Sequence, residues 1–378
     1  MLTRKKMKQV QLTLFLIINS LFVLKYSIRF TSYCLLYTFS YIIFALIIYW
    51  VLTTKQDLIP SIKLKKWIYI ILCLLGVMGI IVLLRTINPY SVQVDRWSAI
   101  DFFLKRLFSG EYPYAAQTHL GQYASPFPAW LCFHIPFYLF GDVGLGMLFS
   151  FVLMAFWAVW FFEVYDKALL FLVLLLISPA FWYEVAVRSD LFYNLLLCFL
   201  MIGVLYKKKI TIQSNVWTVG IICGLFLSTR ITTMIPLFLY LFPGFLMARN
   251  KIKILFVTTV LSVFVLTLMP FVFWDFHTLF FFQHNPFILQ TRQGSVLEIV
   301  FLIPLILFMA LKWNSLRTFM SYSAISLFLL VAISILYRMI NDHFVAGLFD
   351  SAYDITYFNM SLPFIFAALT LTQTDDVR

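Results

Sequence analysis

Charge is scarce in this chain, and negative charge scarcer still. Asp, Glu, Lys and Arg make up 12% of its 378 residues, and only 16 of these are acidic against 28 basic. A soluble domain carries roughly a quarter charged residues, so a water-soluble fold is excluded. Cysteine is also sparse. Cys34, Cys73, Cys132, Cys198 and Cys223 are odd in number, form no CxxC pair and lie mostly inside apolar runs. That pattern excludes a disulfide framework and gives no zinc site. A phosphate-cradling glycine-rich loop and the paired acidic motif of nucleotide-sugar enzymes are both missing, which argues against a soluble nucleotide-sugar donor.

Apolar residues fill the chain instead, at 63% of the whole with 43 Phe among them. Runs of about 15 to 23 residues read as membrane spans at 11–29, 33–52, 67–87, 143–164, 167–181, 190–206, 215–229, 231–247, 252–274, 296–311, 318–338 and 355–372. The pattern predicts an all-α polytopic membrane protein of about twelve spans, one transmembrane domain over 1–378 in contact with membrane lipids. The first run follows Arg4, Lys5, Lys6 and Lys8 but lacks a small-residue cleavage site, so it reads as a retained span rather than a leader. Only about Thr372 to Arg378 follows the last run, which fits a compact single-module protein.

The formal charge of +12 records topology before it records a partner, and nucleic-acid binding is not read from it. With the N-terminus inside, clusters such as Lys63 to Lys66, Lys207 to Lys209 and Arg249 to Lys253 fall on the cytoplasmic side. So do 18 of the 28 basic residues but only Asp57, Glu163, Asp166, Asp375 and Asp376 of the 16 acidic ones. This is the positive-inside pattern, and it places both termini in the cytoplasm. The run Phe127 to Phe140 is too short to cross and contains Pro128 and Pro136, so it reads as interfacial.

The segment 88–142 is then an outer-face loop. Trp97, Ile100, Phe103, Leu104, Leu107 and Phe108 recur at helical spacing, with Asp101, Lys105 and Arg106 between them. This predicts a helix lying on the membrane surface and stopped at Gly110. A Tyr- and Pro-rich turn follows, then the short apolar segment, so two interfacial helices flank an irregular stretch.

In layout this chain resembles the GT-C superfamily of multipass glycosyltransferases, especially mannosyltransferase-like members that use polyprenyl-phosphate sugars. The resemblance rests on Asp95 and Arg96 early in the loop, the surface helix, Gly110 with Tyr112 to Tyr114, Tyr123 with Pro126 and Pro128, Pro136, and Gly141 to Asp142. The later segment Gly224 to Arg230, with Ile231 to Pro236 opening the following span, also looks like these families. Coverage runs from about Leu74 onward through short motifs; two additional spans precede the one leading into the loop. The resemblance implies an inverting glycosyltransferase that moves sugar from a polyprenyl-phosphate donor to a glycan, lipid or protein acceptor at the non-cytoplasmic face. Asp95 is then the general base, with Asp101 in reserve.

Transfer from a lipid phosphate needs a base at the membrane surface and a cation for the leaving phosphate. Arg188, Arg230, His284 and Arg292 are the candidates for the phosphate, and Arg96, Tyr114, Tyr123 and Asp190 for the remaining substrate contacts. Each has a plainer reading. Asp95 with Arg96 suits a solvated surface pair, Arg188 with Asp190 a local ion pair, Arg230 a snorkelling arginine, and the tyrosines interfacial anchors. The stretch Asp275 to Ser295, with His277, His284, Asn285, Arg292 and Gln293, equally suits a polar connection. No cofactor is called for. Asp342, His343, Asp350 and Asp354 suit a divalent cation, although no ligand spacing demands one. Two rival classes remain: a polysaccharide polymerase or ligase, and a transporter or flippase of a lipid-linked substrate, which would show helices broken in mid-membrane around ionisable residues.

Overall fold

The computed structural model describes residues 4–54, 61–281, 283–292, 294, 296–341 and 354–372. In chain order the helices are α1 (Arg4–Ser27), α2 (Cys34–Thr54), α3 (Ile62–Thr86), α4 (Arg96–Phe108), α5 (Pro128–Phe133), α6 (Ile135–Leu139), α7 (Leu145–Phe162), α8 (Tyr165–Leu176) and α9 (Pro179–Ala186). They continue as α10 (Leu191–Lys207), α11 (Val216–Leu227), α12 (Met234–Met247), α13 (Asn250–Trp274), α14 (Phe276–Phe280), α15 (Pro286–Thr291), α16 (Val296–Lys312), α17 (Leu316–Asn341) and α18 (Leu362–Thr370). Among the described residues there is no strand, and the fold is all-helical as expected. An isolated antiparallel bridge joins Gln117 to Tyr123.

Each of the twelve apolar runs is helical. Among the described residues six helices are long and apolar enough to cross a membrane by length and composition: α1, α2, α3, α7, α13 and α17. The bent pair α8 and α9, with 61° between its halves, makes a seventh if counted as one span. Five further apolar helices, Leu191–Lys207, Val216–Leu227, Ile231–Met247, Val300–Lys312 and Ile355–Thr370, are shorter than the roughly 20 residues that a straight crossing needs. These are the helices of an integral membrane protein.

The chain divides into two compact units, Met1–Arg85 with Ser150–Ala186 and Trp313–Arg378, and Thr86–Phe149 with Val187–Lys312. In the first unit α18 is the core helix. Leu362 and Phe364 to Ala368 are fully buried, so it is apolar on every side and surrounded. From α1, Phe15, Ile18 and Phe22 line the same core at helical spacing, and Phe15 meets Phe366 edge-on at 6.0 Å. By contrast α2 turns Phe39, Ile43, Ile47 and Trp50 outward, each more than half exposed, a surface that only lipid accommodates at low cost.

In the second unit α10 takes the central place, buried from Leu191 to Leu205 on nearly every side. Small residues bring α11 against α13. A Cβ on Gly220 would sit 2.8 Å from Thr259 Cβ, and one on Gly224 would sit 2.7 Å from Val263 Cβ. This is the GxxxG style of contact, in which glycines let two backbones approach.

The segment 88–142 is helical where the apolar spacing predicts it. The helix begins at Arg96, ends at Phe108 and is stopped by Gly110 at φ +72°. The segment Phe127 to Phe140 divides at His134 into α5 and α6, because Pro136 has no N–H to offer the Cys132 carbonyl. At the end of the loop Asp142 accepts a hydrogen bond from the Gly144 N–H at 2.8 Å and caps the approach to α7. All five cysteines are free thiols.

Candidate functional site

His134, Arg188, Asp190 and Arg230, buried ionisable groups of the second unit, lie where the segment 88–142 meets the N-terminus of α10. Asp190 precedes α10 and is fully buried. Its carboxylate accepts from Arg230 in a two-point arrangement, Nη2 to Oδ1 at 2.8 Å and Nε to Oδ2 at 3.0 Å. The Trp130 indole N–H donates to the same Oδ2 at 2.6 Å. A carboxylate removed from water needs this many donors, since an uncompensated buried charge costs several kcal/mol.

Beside this pair lies His134, to which the sequence alone assigns no role. Nδ1 sits 2.7 Å from the Trp130 carbonyl and Nε2 2.5 Å from the Tyr193 hydroxyl. A carbonyl only accepts, so Nδ1 carries the proton and Nε2 accepts from Tyr193. Burial pushes the imidazole down to about 4, which keeps the ring neutral near pH 7. Trp130 and His134 stand four residues apart, a spacing that sequence alone offers as one helical face.

Arg188 does not pair with Asp190. Its Nε donates to both Asp142 carboxylate oxygens, at 3.0 and 3.2 Å, and its Nη1 donates to the Ile87 carbonyl at 3.1 Å. The residue adopts φ +51°, uncommon for a residue with a Cβ, and these three hydrogen bonds hold it there. Asp101 on α4 is half-buried. Its carboxyl is held above the usual range by burial first and by the negative charge of Asp142 second, against Lys105.

Asp95 immediately precedes α4 and does not cap it with its side chain. One carboxylate oxygen, Oδ2, accepts from the Thr118 hydroxyl at 2.8 Å. The next residue, Arg96, donates from Nη1 to the Ser189 hydroxyl at 3.1 Å, adjacent to Asp190. Thr118 also anchors the turn that follows, accepting from the Gln122 N–H at 3.0 Å. Gln122 Oε1 in turn accepts from Arg292 at 2.9 Å, and the Tyr123 ring meets the His284 ring edge-on at 4.2 Å. Burial, with the charge of Arg106 adding to it, holds His284 below its ordinary value. A second histidine, His119, contacts Ser98 Oγ at 2.7 Å and packs on Trp97 at 5.3 Å.

Of the residues named separately from the sequence, Asp95 and Arg292 are thus linked through Thr118 and Gln122, Tyr123 meets His284, Asp190 pairs with Arg230, and Arg96 reaches Ser189 beside that pair. Two of the candidates have structural work. Tyr114 is fully buried, with its hydroxyl on the Pro126 carbonyl at 3.2 Å and its ring against Phe103. Arg188 belongs to the Asp142 pair. Gln290, absent from the sequence reading, accepts from the Ile231 N–H at 2.8 Å and donates to the Ser125 carbonyl at 2.9 Å.

Of the residues that suit a divalent cation, Asp342, His343 and Asp350 lie outside the described residues, as does Gln293 of the stretch 275–295. Asp354 instead accepts from the Thr356 N–H at 2.9 Å. Among the described residues no group of three or more His, Cys, Asp or Glu is placed to hold a metal. Compared with protein-family models, curated proteins and solved structures, the chain matches none.

Proposed function

We propose that this protein is an inverting membrane glycosyltransferase that takes sugar from a polyprenyl-phosphate donor at the non-cytoplasmic face, with Asp95 as its base. In this reading all twelve apolar runs cross the bilayer, and α4, α5 and α6 lie at its outer surface. One observation carries the proposal: the Arg96 to Ser189 hydrogen bond ties the residue after Asp95 to the residue before Asp190 within the same unit.

In the reaction the acceptor hydroxyl oxygen attacks the anomeric carbon, and its proton passes to Asp95 Oδ1, the oxygen not engaged by Thr118. The bond from the anomeric carbon to the phosphate oxygen breaks, and its electron pair leaves on that oxygen. Arg96, Arg292 and His284 face the growing charge as cation or hydrogen-bond donor. Arg230 and Arg188 are neutralised by Asp190 and Asp142, so they frame the site rather than bind phosphate. Single displacement inverts the anomeric configuration.

One observation favours a second reading, a transporter or flippase of a lipid-linked substrate. The first unit contains the bent pair α8 and α9, and on α9 the fully buried Glu184 accepts from Asn359 at 3.1 Å. A panel of synthetic polyprenyl-phosphate sugars presented to the purified protein in vesicles separates the two. Sugar transfer with release of polyprenyl phosphate supports the enzyme. Translocation of intact donor without release sinks it.

A further inference from the structure

A half-open cleft of about 600 Å³ runs along the first unit between α3 and α7. Tyr69, Cys73 and Val77 form one wall and Phe151, Ala155 and Val159 the other. Each set repeats every four residues, so the cleft lies parallel to the two helices. The α3 wall covers about 12 Å at the helical rise, close to one leaflet's half of a hydrocarbon core about 30 Å thick. Its lining is almost wholly apolar, and Leu74 and Phe156 on its flanks are more than half exposed.

The end of the cleft toward the start of α3 is different. There the Tyr69 hydroxyl donates to the Ala155 carbonyl at 2.6 Å, and Tyr165 packs edge-on against Tyr69 at 6.1 Å. Lys65 is paired with Asp166 at 2.7 Å, which cancels its charge. Lys66 is exposed and extends the cleft-lining face of α3 by one turn, and Lys63 is exposed one turn earlier. A chain-length apolar groove that ends at surplus positive charge is complementary to a lipid with an anionic headgroup.

We propose that this groove binds one acyl chain of an anionic glycerophospholipid, with its phosphate beside Lys66 and Lys63 at the start of α3. The proposal rests on the chain spanning a bilayer and is independent of sugar transfer.

Native mass spectrometry of the delipidated full chain in neutral detergent, titrated with dioleoyl phosphatidylglycerol or dioleoyl phosphatidylcholine, tests it. A single retained phosphatidylglycerol is expected, bound at least about fivefold more tightly than phosphatidylcholine for each lysine engaged. Ala155→Trp fills the groove and removes this adduct, and Lys66→Gln lowers the phosphatidylglycerol affinity about fivefold while leaving phosphatidylcholine unchanged. Trp160 also lines the cleft, so brominated phosphatidylglycerol quenches its fluorescence, and the conservative Trp160→Phe variant loses that component. The proposal is overturned if Ala155→Trp keeps the adduct at wild-type affinity, if the two lipids bind equally, or if Trp160→Phe leaves the amplitude of quenching unchanged. Displacement of the adduct by an equal concentration of polyprenyl phosphate would assign the groove to the donor and overturn it as well.

Discussion

Asp190 and Arg230 stand forty residues apart in the chain and meet as a two-point ion pair whose side chains are 0% and 7% exposed. A pair this deep contributes little by itself, but each member makes the burial of the other tolerable. Asp190→Asn leaves a guanidinium out of water without a counter-charge. It is expected to lower stability by about 3 to 5 kcal/mol, and Asp190→Leu with Arg230→Met to recover much of that loss. Thermal unfolding of the native protein and these two variants in one detergent reads the loss and its recovery. Equal losses in the single and double variants would remove the pair from the frame of the site.

His134 gives the fold a pH dependence with a definite sign. Its folded value of about 4 lies below its ordinary 6.5, so its contribution is complete above 6.5 and is lost as pH falls toward 4. Between pH 7 and pH 5 the loss is about 2 kcal/mol. Melting points across that range fall for the native protein, and His134→Gln flattens the slope because no imidazole remains to charge.

The contact between α11 and α13 has no room for a methyl group at Gly224, where a Cβ would also lie 2.8 Å from the Val260 carbonyl oxygen. Backbone cannot swing aside as a side chain can, so Gly224→Ala is expected to cost about 1 to 3 kcal/mol. Gly244 on α12 supplies the control. Its nearest obstacle to a Cβ is Gln213 Oε1 at 3.8 Å, and Gly244→Ala leaves the melting point unchanged or slightly raised.

Orientation is testable without any substrate. Glu111 is exposed on the loop 88–142, and in a variant cleared of native thiols Glu111→Cys is expected to react with an impermeant maleimide on intact cells. Reaction only after permeabilisation would put Asp95 in the cytosol and remove sugar transfer at the outer face.

The helices were legible because hydrophobic period and capping are local. Trp97 to Phe108 announces its own apolar face, Gly110 its stop, and Asp142 the start of α7. The partners were not legible. Arg188 and Asp190 are near neighbours in sequence and reasonable as a pair, yet the turn at Arg188 sends its side chain to Asp142 while Asp190 accepts from Arg230. Which carboxylate an arginine finds depends on how helices pack, and periodicity is silent on that. The same holds for His134 and Tyr193, fifty-nine residues apart, whose contact needs the junction of α5 and α6 already against α10. Span number was harder for another reason, since helices such as α10 and α11 are apolar but short, and length alone does not separate a crossing of a locally thinned bilayer from a buried core helix.

Transfer by the Asp95→Asn variant tests the central claim most directly. With a polyprenyl-phosphate sugar that the native protein uses, single-turnover transfer is expected to slow by about 10² to 10⁴-fold, with donor binding and melting point unchanged. Full transfer activity in Asp95→Asn would contradict the assignment of Asp95 as the base.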